Sequence, residues 1–376
     1  MNVVVTGSAG FLGKNLVVAL RRRPDVLVNG VGRETSTAEL EAALAAADVV
    51  FHLAGVNRPR DEAEHEPGNA GITRALCETL RRLGRAPKIV FASSTRATSD
   101  DAYGRSKRAA EQALEAYAAQ SGVPVAVFRL PNVFGKWCRP HYNSFVATFC
   151  HEIARDGTVV VEDPDAAVEL AYVDDVVAAF VAELTTSAAS PVSDSACCGV
   201  LRPGPPTRRT TVGRVKILLE QFREVRRSLV VPDLSDPFAR RLYATYVSHL
   251  DGAALAYRPP LREDQRGFVQ ELLKSHASGQ VFLSRTRPGV TRGGHLHDAK
   301  VEKFIVVEGQ ARIRFRHVAT GQSIHVDVDG AAPQIVDIPP GHTHDITNTG
   351  SGELVTLFWA SEIFDPERPD TYPEPL

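Results

Sequence analysis

Between Asn2 and Leu130 the chain alternates short apolar β-type runs with stretches of helical spacing, and that alternation leaves few folds open. The runs are Asn2–Thr6, Val26–Val31, Val49–Leu53, Lys88–Ala92 and Val125–Leu130. The helical stretches are Phe11–Arg23, Glu39–Ala47, Ile72–Leu83 and Gly104–Gln120. A strand that is apolar along its whole length must be covered on both faces. Strands of this kind with helices between them pair in parallel, because a crossover helix returns the chain to the same end of the sheet. The segment is expected to be an α/β, doubly wound parallel sheet.

The pattern then changes. From Pro131 to Leu250 it loosens, with helical spacing at Tyr172–Leu184 and Val212–Arg226 and an expected surface loop over Ser187–Arg209. Asp251–Gln265, interrupted by Pro259-Pro260, has the character of a connection between domains. Beyond Gly267 only short β-type runs with Gly/Pro turns follow: Val281–Ser284, Phe304–Val307, Ala311–Arg316, Ser323–Val328, Gln334–Ile338 and Leu354–Trp359. Such spacing implies an all-β sandwich or barrel. The expected organisation is a first domain over 1–250, a linker over 251–266 and an all-β domain over 267–376, in keeping with a length of 376 residues.

Charge excludes some partners. Lys+Arg 43 against Asp+Glu 45 gives a net charge of −2, no electrostatic footprint for nucleic acid. No window of about twenty apolar residues is present, so no membrane insertion is expected. The start MNVVVTGSAG lacks the basic region and long apolar stretch of an export signal. The cysteines Cys77, Cys138, Cys150, Cys197 and Cys198 form no Cys-x-x-Cys pair and suit reduced thiols in a cytoplasmic protein.

Two groups of residues in the first domain carry chemistry. Gly7-Ser8-Ala9-Gly10-Phe11-Leu12-Gly13 lies between the first strand and first helix, where glycines let the backbone approach a pyrophosphate at a helix N-terminus. A NAD site places an acid after the second strand; here Gly32-Arg33 stands there, and an arginine suits the 2′-phosphate of NADPH. A solvated surface arginine beside Glu34 is the alternative. Tyr103 and Lys107, four apart on one helix face, form an acid–base pair in which an ammonium is expected to lower the phenol pKa. Ser94, at the end of the fourth strand, is placed to hydrogen-bond a substrate carbonyl.

With His52-Leu53-Ala54-Gly55, Arg129-Leu130-Pro131-Asn132-Val133-Phe134-Gly135 and Tyr172-Val173-Asp174-Asp175, these motifs resemble the extended short-chain dehydrogenases/reductases that act on nucleotide sugars. The resemblance implies a Rossmann-type fold and a catalytic group of Ser94, Tyr103 and Lys107. It implies a cofactor held by Gly7, Gly10, Phe11, Leu12, Gly13, Arg33, Leu53 and Ala54 with Tyr103 and Lys107. Asn132 would contact the substrate diphosphate; a turn residue is the alternative.

In the β-rich region, His295-Leu296-His297 places two imidazoles on one strand face, Glu302 follows, and His344 lies in Pro339-Pro340-Gly341-His342-Thr343-His344. Three imidazoles and a carboxylate are a donor set for Zn²⁺, Fe²⁺ or Mn²⁺. Gly289-(five)-His295-x-His297-(four)-Glu302-(six)-Gly309 resembles the first cupin motif, and Pro339-x-Gly341-(two)-His344-(three)-Asn348 most of the second, with Pro333 where its leading glycine belongs. The resemblance implies a cupin, or double-stranded β-helix, with a metal, Zn²⁺ by preference, at His295, His297, Glu302 and His344. Pro288–His295 is also similar to cupins that epimerise nucleotide-linked keto-sugars, where Arg292 would hold the diphosphate. A solvated loop arginine is the alternative there.

Together the two domains resemble the bifunctional CapF/WbjC-type family of capsular polysaccharide enzymes, through Phe51–Pro59, Phe134-Gly135-Lys136-Trp137-Cys138 and His295–Phe304. That family implies a UDP-linked 6-deoxy-4-keto amino sugar as substrate, UDP-2-acetamido-2,6-dideoxy-hexos-4-ulose. The cupin would invert C3, and NADPH would then reduce the C4 ketone to give UDP-N-acetyl-6-deoxy-L-talosamine. The base at C3 is open among Lys300, Lys303, His342 and Asp345. A homodimer through the cupin is expected from its sheet edges. The alternatives are a simple NADPH-dependent reductase with a non-catalytic cupin, or an oxygenase cupin.

Overall fold

The computed structural model describes residues 1–186, 199–259, 261–264, 267–270, 274–275, 279–362 and 365–376. Its first elements are β1 (Asn2–Thr6), α1 (Phe11–Arg21), β2 (Leu27–Val31), α2 (Thr37–Ala46), β3 (Val49–His52), α3 (Ile72–Arg82), β4 (Lys88–Ser94), α4 (Ala102–Ser121), β5 (Val125–Leu130) and β6 (Asn132–Phe134). There follow α5 (Phe145–Ile153), β7 (Ala167–Tyr172), α6 (Val173–Ala182), β8 (Gly199–Leu201), β9 (Thr207–Thr211), α7 (Val212–Ser228), β10 (Val230–Val231) and α8 (Pro237–Val247). Short strands β11 (Ala256–Tyr257), β12 (Leu261–Asp264), β13 (Gly267–Gln270) and β14 (Lys274–Ser275) lead into the last part. That part comprises β15 (Gln280–Thr286), β16 (Thr291–Leu296), β17 (Glu302–Glu308), β18 (Gln310–His317), β19 (Ser323–Asp329), β20 (Ile335–Ile338), β21 (His342–Asn348), β22 (Leu354–Ala360) and β23 (Tyr372–Pro373).

Contacts divide the chain into two compact units, Met1–Ser144 with Glu169–Arg209, and Phe145–Val168 with Thr210–Leu376. In the first, six strands form a sheet in the order β2-β1-β3-β4-β5-β8. Every pairing in it is parallel. The expected Rossmann-like sheet is therefore present, built on strands such as Val3-Val4-Val5, whose side chains are wholly buried. Both α3 and α4 cover one face with Leu76, Leu80, Leu114 and Tyr117. Strand order reverses between β1 and β3, and such a switch point opens a crevice at the carboxyl ends of the strands. Sequence reading missed β8: residues 187–198 of the expected loop lie outside the described ones, but Gly199–Leu201 adds a strand beside β5.

The second unit holds two five-stranded sheets, β11-β20-β17-β22-β15 and β19-β18-β21-β16-β23. Their pairings are antiparallel. Phe304, Ile313, Phe315, Val336, Ile346 and Phe358 form their shared apolar core. Residues 145–153 and 212–247, which fall within the 1–250 domain expected from sequence, supply α5, α7 and α8 to this unit. Part of the expected linker is structured, since Ala256 and Tyr257 pair with Val336 and Ile335. Arg226 of α7 reaches the same sheet through an ion pair with buried Asp337. Among the described residues no helix is long and apolar enough to cross a membrane.

Candidate functional site

The turn between β1 and α1 lies at the switch point of the parallel sheet. Gly7 has φ +69°, and a Cβ there would stand 2.8 Å from the Ala54 backbone nitrogen. A Cβ on Gly13 would collide with the Gly7 carbonyl oxygen. Gly10 caps α1 with no side-chain hydrogen bond, so the first backbone N–H groups of the helix are left for a ligand. Thr6 braces this cradle: its hydroxyl accepts from the N–H groups of Leu53 and Ala54, each at 3.2 Å. It also pairs with His52 Nδ1 at 2.8 Å, and His52 Nε2 meets the Thr73 hydroxyl at 3.0 Å. Burial, assisted by the Lys107 charge, depresses His52 to about 3, so the ring stays neutral. Phe11, Leu12, Leu53 and Ala54 are half-buried around the turn, whereas Arg33 is exposed beyond β2. The arrangement fits a dinucleotide pyrophosphate, because glycine at 7 and 13 lets the turn close against the Leu53–Ala54 backbone and the start of α1 with the first helical N–H groups uncapped. Gly13→Ala is expected to raise the dissociation constant for NADPH at least ~10-fold, which titration of cofactor fluorescence would measure.

Beside the cradle, the proposed catalytic residues converge. Asp101 caps α4 by accepting from Gly104 N–H at 2.9 Å, which fixes the helix turn that carries Tyr103. The Ser94 hydroxyl, which accepts from the Arg96 N–H at 3.2 Å, lies near enough to the Tyr103 phenol to act on its pKa. Lys107 is buried, and its ammonium donates to the Ala92 carbonyl at 3.0 Å. Burial lowers Lys107 to about 8, with Glu111 opposing the shift. The expectation that Lys107 lowers the phenol is not met: burial raises Tyr103, and Ser94 and Arg96 only partly oppose it. The reason is placement, since the ammonium is turned to the β4 carbonyl rather than to the phenol. A phenol raised in this way is protonated at neutral pH and therefore suited to donate. Asn132 is exposed on β6, at the carboxyl end of the chain segment that leaves β5.

The second cluster lies between the antiparallel sheets. His295 and His344 face each other across the β16–β21 pairing, and Glu302 opens β17 in the other sheet. One ligand atom from each of His295, His297, Glu302 and His344 lies within 4.8 Å of all the others. His297 Nδ1 donates to the Asp370 carbonyl at 2.6 Å, which leaves Nε2 as the lone-pair nitrogen aimed at the cluster. His297 Nε2 and His344 Nε2 are buried without a hydrogen-bond partner, 3.3 and 3.6 Å from the Glu302 carboxylate. Burial depresses His295 to about 4, helped by His344 and His297. Burial would raise Glu302, but the adjoining His297 and His344 rings outweigh it and hold the carboxylate well below its usual range. Orphaned imidazole nitrogens converging on an ionised carboxylate fit a divalent cation.

A cavity of about 200 Å³ opens beside these ligands and is also lined by Phe282, Lys300, Glu362 and Thr371. Sequence reading missed Asp370, whose carboxylate accepts from the N–H groups of Asp298, Ala299 and Lys300 and so shapes the loop after His297. No local motif marks it; β23 brings it back by pairing with His295 and Leu296. Arg292 is exposed, its guanidinium donating to the Thr286 hydroxyl at 3.0 Å and the Arg285 carbonyl at 3.2 Å.

Comparison with known proteins agrees with both halves. Residues 3–197 match the NAD dependent epimerase/dehydratase family, and residues 262–372 match the polysaccharide biosynthesis C-terminal domain. The chain is 43% identical over 372 residues to UDP-2-acetamido-2,6-beta-L-arabino-hexul-4-ose reductase of Pseudomonas aeruginosa, covering 99% of this chain and 98% of that protein. The crystal structure of the capsular polysaccharide assembling protein CapF from Staphylococcus aureus is 40% identical, covers 100% of both chains and superposes with a TM-score of 0.66. UDP-glucuronic acid 4-epimerase from Bacillus cereus, at 19% identity and a TM-score of 0.51, shares the fold over 59% of this chain and 83% of its own.

Proposed function

This chain belongs to the CapF-type family of capsular polysaccharide enzymes, within the NAD dependent epimerase/dehydratase family, and from that premise we propose a two-step enzyme acting on a nucleotide-linked keto-sugar. Its substrate in this reading is UDP-2-acetamido-2,6-dideoxy-hexos-4-ulose. The all-β site inverts C3, and the 1–250 domain then reduces the C4 ketone to UDP-N-acetyl-6-deoxy-L-talosamine. The single observation that carries the reading is the coexistence in one chain of a Ser94–Tyr103–Lys107 group and the His295–His297–Glu302–His344 cluster.

A bound NADPH would supply hydride at the first site. There Ser94 donates a hydrogen bond to the C4 oxygen, and Tyr103, kept protonated by burial, gives its proton to that oxygen as charge develops. In this reading Lys107 would hold the cofactor ribose, Arg33 supports NADPH over NADH, and Asn132 supports diphosphate binding. A bound divalent metal, Zn²⁺ by preference, would supply Lewis-acid polarisation of the ketone at the second site. His295, His297, Glu302 and His344 would hold it, and Arg292 would meet the diphosphate. Exposed Val281 and Leu283 on edge strand β15 support a homodimer through this domain.

The test is turnover. Incubated with the UDP-4-keto-sugar, the protein should oxidise NADPH stoichiometrically and NADH far more slowly, followed by loss of nicotinamide absorbance. No oxidation of either nucleotide would overturn the reading.

A further inference from the structure

We propose that Glu362 is the proton acceptor at C3 in the all-β site, a catalytic residue that the motifs do not mark. The assignment rests on the epimerase reading above and deepens it. It stands first on elimination by placement. Lys303 neighbours Glu302 on β17 and so faces the other way, where its ammonium bonds Asp337 and the Tyr257 hydroxyl. Asp345 is gripped bidentately by Arg314. His342 stacks edge-on against His317, 4.8 Å between ring centres, and bonds the Pro340 carbonyl. None of these three lines the cavity beside the metal ligands. Lys300 does, but its ammonium donates to the Pro369 carbonyl at 3.1 Å and the Thr371 hydroxyl at 2.8 Å, and an ammonium has no lone pair with which to take a proton.

Glu362 lines the same cavity, and among the described residues its carboxylate has only the Arg240 guanidinium as an ion-pair partner. Its ion pair with Arg240 is loose, at 4.0 Å. The residue before it is pinned to the strand of the metal ligand: Ser361 N–H donates to the Val301 carbonyl at 2.9 Å, and Val301 N–H donates to the Ser361 hydroxyl at 3.0 Å. Glu362 thus follows a residue tied at the end of β22 to the residue that precedes Glu302. Burial and then Asp370 raise its carboxyl, against Lys300, Arg240 and His297, which increases its proton affinity. Its side chain keeps 28% exposure, enough to trade protons with water.

In the step assigned here, the C3–H bond breaks and the proton passes to the Glu362 carboxylate. The C3–H pair becomes the C3=C4 π bond while the C4=O π pair moves onto the C4 oxygen, and both shifts reverse when C3 is reprotonated. A water on the opposite face returns a proton to C3, and the hydroxide left behind takes the proton from Glu362. Atoms and charge balance, no oxidant is needed, and C3 acquires solvent hydrogen.

Glu362→Gln tests this, read by metal content and by deuterium entry at C3 of UDP-2-acetamido-2,6-dideoxy-hexos-4-ulose in deuterated buffer. Bound metal should remain at the wild-type level, while exchange falls by ~10²–10⁴-fold, as for loss of a general base. Glu362→Asp, which keeps the carboxylate, should recover part of the exchange. Metal content serves as the control for folding, because the ligands come from separate strands. Exchange within a few-fold of wild type overturns the assignment alone. Loss of metal together with exchange also overturns it, giving Glu362 a structural role. A wild-type protein that exchanges nothing overturns the epimerase reading and this assignment with it.

Discussion

Tyr103→Phe should lower NADPH oxidation by ~10²–10⁴-fold and leave deuterium exchange at C3 near the wild-type rate. The substitution removes one hydroxyl and keeps the ring that packs between His65 and Arg96, so the effect falls on proton transfer rather than on the fold. Burial raises this phenol, which keeps it protonated at neutral pH, the state in which it would donate to the C4 oxygen in the proposed reduction. Ser94 remains to orient the ketone, and the Gly7–Gly13 cradle is untouched, so NADPH binding should change little. Stopped-flow oxidation of NADPH against NMR exchange in the same preparation separates the two activities. Loss of both would mean that the sites are not independent.

His297→Ala should do the reverse. Its Nε2 is a buried, unpartnered nitrogen aimed at Glu302, and its Nδ1 is fixed by the Asp370 carbonyl. Removing one of four donors should strip bound metal from the protein and reduce C3 exchange by at least ~100-fold, in line with loss of a metal's charge stabilisation. Supplied with a 4-ketone already inverted at C3, the variant should still oxidise NADPH. Metal analysis by atomic absorption checks the first statement and NMR the second. An unchanged exchange rate would sink the metal-assisted mechanism.

Much of this was legible in the sequence because the signals were local. Val3-Val4-Val5 followed by Gly7, Gly10 and Gly13 encodes strand, turn and helix within one short segment, and the parallel sheet follows from repetition of that unit. The metal-type cluster was legible for a similar reason: alternation along β16 and fixed spacing to Glu302 name the candidate ligands before pairing with β21 brings His344 across. Helix α8 was missed although Asp236-Pro237, an N-cap with proline at the first helical position, marks its start. The grouping of α5, α7 and α8 with the β-rich unit was not legible at all, since it depends on contacts such as Arg226–Asp337, far apart in sequence. The same holds for Asp370 and Glu362. One is delivered to His297 by pairing of β23, the other follows the end of β22 and lines the cavity, and neither lies in a motif.

Sign matters in one further respect. A nearby ammonium was expected to lower Tyr103, but side-chain direction decided otherwise, with Lys107 turned to the Ala92 carbonyl. Spacing on a helix places two residues on one face without fixing where their polar ends point.

The central claim is that one chain carries out two consecutive reactions on one sugar, and NMR of UDP-2-acetamido-2,6-dideoxy-hexos-4-ulose in deuterated buffer tests it most directly. Without NADPH, the account predicts deuterium at C3 with the ketone intact; with NADPH, it predicts a C4 alcohol that carries deuterium at C3. Reduction at C4 with protium retained at C3 would contradict it, leaving a reductase joined to a domain that takes no part in the chemistry.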